Sequence, residues 1–173
     1  VNFWHIFGAG LFGSLINLPI VNYYEHATYL TGNHAHAAMF GVKGNIALGG
    51  MLFCGQHLLP KALWNEKLIK TSFWSLQIGL LMMMTMDLFP IGMYQLMIVF
   101  QEGLWYARSQ EILTGPVWRF FTYARSIGGT LFIVGGVFPL IWLFVSRAGS
   151  LRKETPELEQ EGEWTVYEKD WAA

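Results

Sequence analysis

Two histidines one residue apart, His34 and His36, are the residues of this 173-residue chain best suited to chemistry. Successive residues on a helix turn by about 100°, so the pair points to nearly opposite sides, roughly 200° apart. A zinc site built on one helix wants an i, i+4 pair on a single face, and that spacing is absent here. Two separate centres fit the spacing better. Imidazole is the usual axial ligand of haem iron, and a polar side chain within a membrane-spanning run is costly enough to imply a role. Two haems flanking one helix is then the natural assembly. The small residues Ala35, Ala37, Ala38, Gly41 and Gly44 leave room for flat macrocycles or close helix neighbours. The competing reading is that both imidazoles only hydrogen-bond across helices near the interface. It stays open on spacing alone, because His-x-His is a short and frequent pattern.

Positioning such a pair requires helices in lipid, and the composition agrees. With 53% hydrophobic and 13% charged residues, the chain is not an ordinary soluble domain. A net charge of −1 without a long basic run excludes nucleic acid as a partner. The single cysteine, Cys54, permits neither a disulfide framework nor a CxxC pair, and reads as a small buried hydrophobe. Residue 1 is Val1, and no basic region precedes the first apolar stretch. The chain therefore does not read as opening on a signal peptide, and it is expected to be a piece whose partner helices lie elsewhere.

Four segments reach the roughly 20 apolar residues that cross a hydrocarbon core: residues 3–21, 35–59, 73–100 and 127–145. The expected fold is an all-α membrane protein with four transmembrane helices within residues 1–147 and a charged, solvated cytoplasmic tail at 148–173. Lys61, Lys67 and Lys70 follow the second segment, and Arg147, Arg152 and Lys153 follow the fourth. This places those ends in the cytoplasm and the start of the histidine-bearing helix at the outer surface. The connection at 101–124 holds Trp105, Tyr106, Trp118 and Tyr123 beside arginines, and reads either as an interfacial helix or as an aromatic belt. Lys43 falls seven residues after His36, about 10 Å deeper by helical rise. It is expected to face protein or water, with Asp87 as its structural partner or, alternatively, a place in a proton path. Met82, Met83, Met84 and Met86 read as packing residues rather than a copper path, since near-contiguous positions point all round a helix.

Residues 22–39, NYYEHATYLTGNHAHAAM, resemble the loop and start of the tenth core helix of bacterial nitric oxide reductases in the haem-copper oxidase superfamily. INLPIV at 16–21, LFP at 88–90 and GLWYARS at 103–109 are similar to the single-subunit, quinol-dependent branch. The resemblance covers most of residues 1–145 and is most specific around the histidines. It implies the C-terminal part of a twelve-helix bundle in a bacterial cytoplasmic membrane. The implied reaction converts two nitric oxide molecules, two electrons and two protons to nitrous oxide and water. By position in the motif, His34 is the axial ligand of the high-spin haem b and His36 that of the low-spin haem b. The resemblance also implies a non-haem iron held by three histidines and a glutamate on helices outside this chain. His5 and His57, expected near the cytoplasmic ends of their spans and far from His34, do not replace that set. His26, eight residues before His34, matches a histidine beside the haem propionates and a nearby metal, with calcium as the candidate; a water-exposed loop histidine is the alternative.

Three features bear on the electron donor. Gly129 stands where the quinol-dependent pattern commonly has an aspartate, whereas Glu25 and the Trp105 to Ser109 stretch favour quinol over cytochrome c. The competing functions are an oxygen-reducing member of the superfamily, with copper beside the high-spin haem, and a non-enzymatic dihaem or purely structural membrane subunit.

Overall fold

Pro19 divides the first apolar segment. Its ring removes a backbone N–H and disfavours the helical region for the residue before it, and Leu18 is extended at φ −66°, ψ 125°. The computed structural model describes residues 1–58 and 64–146. In place of one span over 3–21 it has α1 (Trp4–Ile16) and α2 (Pro19–Glu25), bent by 97° at the break. Asn22 Nδ2 donates to the Ile16 carbonyl at 2.9 Å, satisfying one of the acceptors left open at the end of α1.

The helix that carries the histidines, α3 (Tyr29–Leu58), begins six residues before the expected start at 35. The run TGNHAH is too polar for a hydropathy window, yet its capping is complete enough to start a helix. Thr28 Oγ1 accepts from the Leu30 amide at 3.3 Å, and Gln95 Oε1 accepts from the Tyr29 amide at 2.8 Å. Two first-turn donors are thereby satisfied. The expected end at 59 lies outside the described residues.

α4 (Glu66–Glu102) is 37 residues long against the expected 73–100. Asn65 Oδ1 caps its start by accepting from the Leu68 amide at 3.0 Å, and Gly103, at φ 90°, follows its end. Residues 103–115 then form a compact connection with one 3₁₀ turn and the short α5 (Gln110–Leu113). α6 (Pro116–Val145) starts with proline in its first turn, where the fixed φ and missing N–H suit a helix start. A separate interfacial helix over 101–124 is therefore not formed. Trp118, Arg119 and Tyr123 belong to the first turns of α6, while Trp105 and Tyr106 stay in the connection.

The described residues contain no strand. α3, α4 and α6 are each long and apolar enough to cross a membrane, and α1 with α2 would make a fourth crossing. The tail at 148–173 and the cations Lys61, Arg147, Arg152 and Lys153 lie outside the described residues.

Small residues let these helices meet backbone to backbone. A Cβ on Gly79 would meet the Gly128 carbonyl at 2.8 Å, and one on Gly128 would meet the Gly79 carbonyl at 2.9 Å, so α4 and α6 cross at van der Waals contact. Trp4, Ala37, Leu80, Met84 and Leu88 form a core joining α1, α3 and α4. Cys54, read from the sequence as buried, is exposed; its neighbour Gly55 takes the inward position. A helix apolar all round does not announce which face turns inward.

Within that packing runs a polar chain. Trp4 Nε1 donates to Gln77 Oε1 at 2.7 Å, Gln77 Nε2 donates to Asn45 Oδ1 at 2.7 Å, and Asn45 Nδ2 donates to the Gly41 carbonyl at 2.8 Å. It pins α1 to α3 and α4 well inside the apolar region. Gln77→Leu strands the indole N–H and the Asn45 carbonyl oxygen, and is expected to cost about 1–2 kcal/mol. Denaturant unfolding of the assembled protein in detergent checks this, and an unchanged midpoint would show the chain to be energetically idle.

Candidate functional site

His34 and His36 occupy the second turn of α3, and each imidazole is held by a backbone carbonyl. His34 Nδ1 lies 2.9 Å from the Gly8 carbonyl on α1, and His36 Nδ1 lies 2.8 Å from the Gly32 carbonyl one turn back on α3. A carbonyl oxygen can only accept, so in both rings Nδ1 carries the proton and donates. When such a ring acts as a ligand, its lone pair is the one on Nε2. An imidazole anchored in this way is already in the tautomer and orientation that a metal-ligating histidine needs.

The two rings have different surroundings. His34 is half-buried against α1, where a Cβ on Gly13 would come within 2.9 Å of its Cε1. Gly13 is thus the seat of that ring. α1 approaches closely enough to offer the Gly8 carbonyl because Gly8 packs on Ala37 and Trp4 covers Gly41. His36 bonds within its own helix and is exposed.

His26 is exposed, and its backbone carbonyl accepts from Arg108 Nη2 at 3.1 Å. This ties the 103–115 connection to the loop before α3. Next to His26, the carboxylate of Glu25 is buried at 2% exposure and accepts from Thr31 Oγ1 at 3.1 Å. Gln95 completes this end of the bundle, since its Nε2 donates to the Ala107 carbonyl at 3.2 Å while its Oε1 caps Tyr29. A Cβ on Gly92 would meet the Leu30 amide nitrogen at 2.5 Å, so the start of α3 is pressed directly onto α4. Gly8, Gly13, Gly92 and Gln95 were not legible as site residues, because each acts through a partner distant in sequence.

Two expectations need correction. Lys43 is exposed and does not pair with Asp87. Asp87, fully buried, has Arg125 Nη1 at 3.4 Å instead. Because α6 starts at Pro116, Arg125 is carried along α6 to the level of Asp87, which the expected loop to 124 did not allow. His5 is nearer to the histidine pair than expected: it lies three residues before Gly8, the acceptor for His34, because α1 is short and faces the first half of α3. Its side chain is exposed, as is that of His57, which packs edge-on against Phe53. Among the described residues no three His, Cys, Asp or Glu side chains gather as a metal site.

Residues 1–131, which include the whole of this arrangement, match the family model described as Cytochrome C and Quinol oxidase polypeptide I. No curated protein matches the chain.

Proposed function

The chain belongs to the cytochrome c and quinol oxidase polypeptide I family, and on that premise we propose that it is the part of a nitric oxide reductase that supplies one axial histidine to each of two haems. The observation that carries the reading is the pair of Nδ1–H bonds to the Gly8 and Gly32 carbonyls. They fit haem because they leave Nε2 of both rings free to ligate. When bound, the haems would supply the electron-carrying and nitric oxide-binding chemistry, while protein groups supply position and field.

In this reading His34 holds the high-spin haem b and His36 the low-spin haem b. Gly8 and Gly13 fix the His34 ring from α1. In the same reading His26 and Arg108, joined by the bond from the guanidinium to the His26 carbonyl, would serve the haem propionates and a nearby calcium ion. The non-haem iron is assigned to ligands on the remaining helices of the enzyme. The motifs at 22–39 and 103–109 favour nitric oxide over oxygen as substrate and quinol over cytochrome c as donor. In this reading the protein is a multi-pass component of a bacterial cytoplasmic membrane, with its C-terminus inside.

The second reading is an oxygen-reducing enzyme, which the breadth of the matched family favours. Metal analysis of the intact protein separates the two. The expected result is three irons per protein and no copper, with nitrous oxide released from nitric oxide under a quinol analogue. Stoichiometric copper with oxygen consumption would replace this assignment with the second.

A further inference from the structure

Asp87 is a fully buried carboxylate inside an apolar helix. Its exposure is 0%, neither carboxylate oxygen has a hydrogen bond, and its counter-charge is Arg125 at 3.4 Å. Arg125 is itself 40% exposed, whereas Asp87 is closed off on all sides. A buried ion pair without hydrogen bonds is weak as a source of stability, and replacing it by apolar residues is often neutral or better. Its location is more informative. Asp87 and Leu88 lie on the stretch of α4 packed against the first turns of α3, where a Cβ on Gly32 would touch Leu88 Cδ2 at 3.8 Å. Gly32 is the residue whose carbonyl orients His36, so Asp87 is the chain neighbour of the side chain that backs the His36 anchor.

We propose that Asp87, held by Arg125, is a positioning residue that sets the reduction potential of the low-spin haem on His36. This rests on the reading of His36 as that haem's ligand. A fixed negative charge in a low-dielectric site favours the ferric form over the ferrous form, which carries one electron more, and so lowers the midpoint potential. The haem on His34 is expected to be affected less, because that ring is seated on α1 at Gly8 and Gly13 rather than anchored to the α3 turn that Leu88 packs against.

The test is an optical redox titration of both haems in the assembled holoprotein, comparing wild type with Asp87→Asn, Asp87→Glu and Arg125→Gln. In Asp87→Asn the low-spin midpoint is expected to move positive, by more than the high-spin midpoint moves. Asp87→Glu, which keeps the charge, is expected to stay close to wild type. Arg125→Gln, titrated at a pH alkaline enough to keep the unpaired carboxylate ionised, is expected to move the low-spin midpoint negative. An unchanged low-spin midpoint in Asp87→Asn overturns the proposal. Equal movement of both haems, or movement of Asp87→Asn and Arg125→Gln in the same direction, also overturns it, since a loosened helix contact would do that. Should Asp87→Asn not assemble, Asp87→Leu, which removes the same charge and suits an apolar helix contact, takes its place with the same expected positive shift and the same overturning result. Persistence of the low-spin haem in His36→Ala would instead sink the underlying ligand reading.

Discussion

Replacing His34 by alanine is expected to abolish the nitric oxide-reactive high-spin haem signal while the low-spin spectrum survives, and His36→Ala is expected to do the reverse. The assignment of each ring to its haem follows the family order of the two ligands, and geometry keeps the two roles apart. His34 is seated on α1 by Gly8 and Gly13, whereas His36 is held within α3 and turns elsewhere, so neither ring can stand in for the other. In the proposed reading both variants are expected to lose turnover, one for want of the reactive haem and the other for want of electron delivery to it. Removing the His34 imidazole also frees the Gly8 carbonyl at a cost of about 1 kcal/mol, too little to unfold a bundle joined by the Trp4–Gln77–Asn45 chain. Reduced-minus-oxidised spectra with and without nitric oxide, on variants that each retain their other haem, make the measurement. A nitric oxide-reactive haem that persists in His34→Ala and disappears in His36→Ala would reverse the two roles.

Gly13→Val is expected to produce much of the His34→Ala phenotype without touching a ligand. Even a Cβ at this position would lie 2.9 Å from His34 Cε1, and valine adds two methyl groups beyond it. The ring must then leave its carbonyl anchor or α1 must back away. Overpacking of this kind costs about 1–3 kcal/mol. Its consequence for the proposed haem is larger, because a ligand displaced by an ångström no longer points along the axial direction. Gly49→Ala is the control: nothing lies within 4 Å of a Cβ there, and alanine is about 1 kcal/mol better than glycine inside a helix. The haem content of purified protein is the readout, with the high-spin band expected to fall in Gly13→Val and to hold in Gly49→Ala. Full high-spin occupancy in Gly13→Val would show that the ring has another way to sit.

What the sequence determined by itself follows from composition and spacing. Long apolar runs separated by polar stretches can only be helices in lipid, because every backbone polar group must be satisfied within its own segment. The one-residue spacing of His34 and His36 dictates divergent directions for any helical backbone. Pro19 was also in plain view and marks the break after α1, although an average over apolar residues hides it. The matched family agrees with this coarse picture of a multi-pass oxidoreductase component.

The tertiary structure decided which partner each polar group meets. The early start of α3 depends on Gln95, 66 residues away from Tyr29, and no local window can see such a cap. The carbonyl that orients His34 comes from another helix, 26 residues earlier, and is a backbone atom that every residue type possesses. Asp87 pairs with Arg125 rather than Lys43 because α6 starts at Pro116 and carries the guanidinium into the bundle. Sequence periodicity specifies how a helix is amphipathic, but in a chain this apolar nearly every face is compatible with lipid. The facing of α1, α3, α4 and α6 is set instead by where glycines permit close approach and where scarce polar groups find each other.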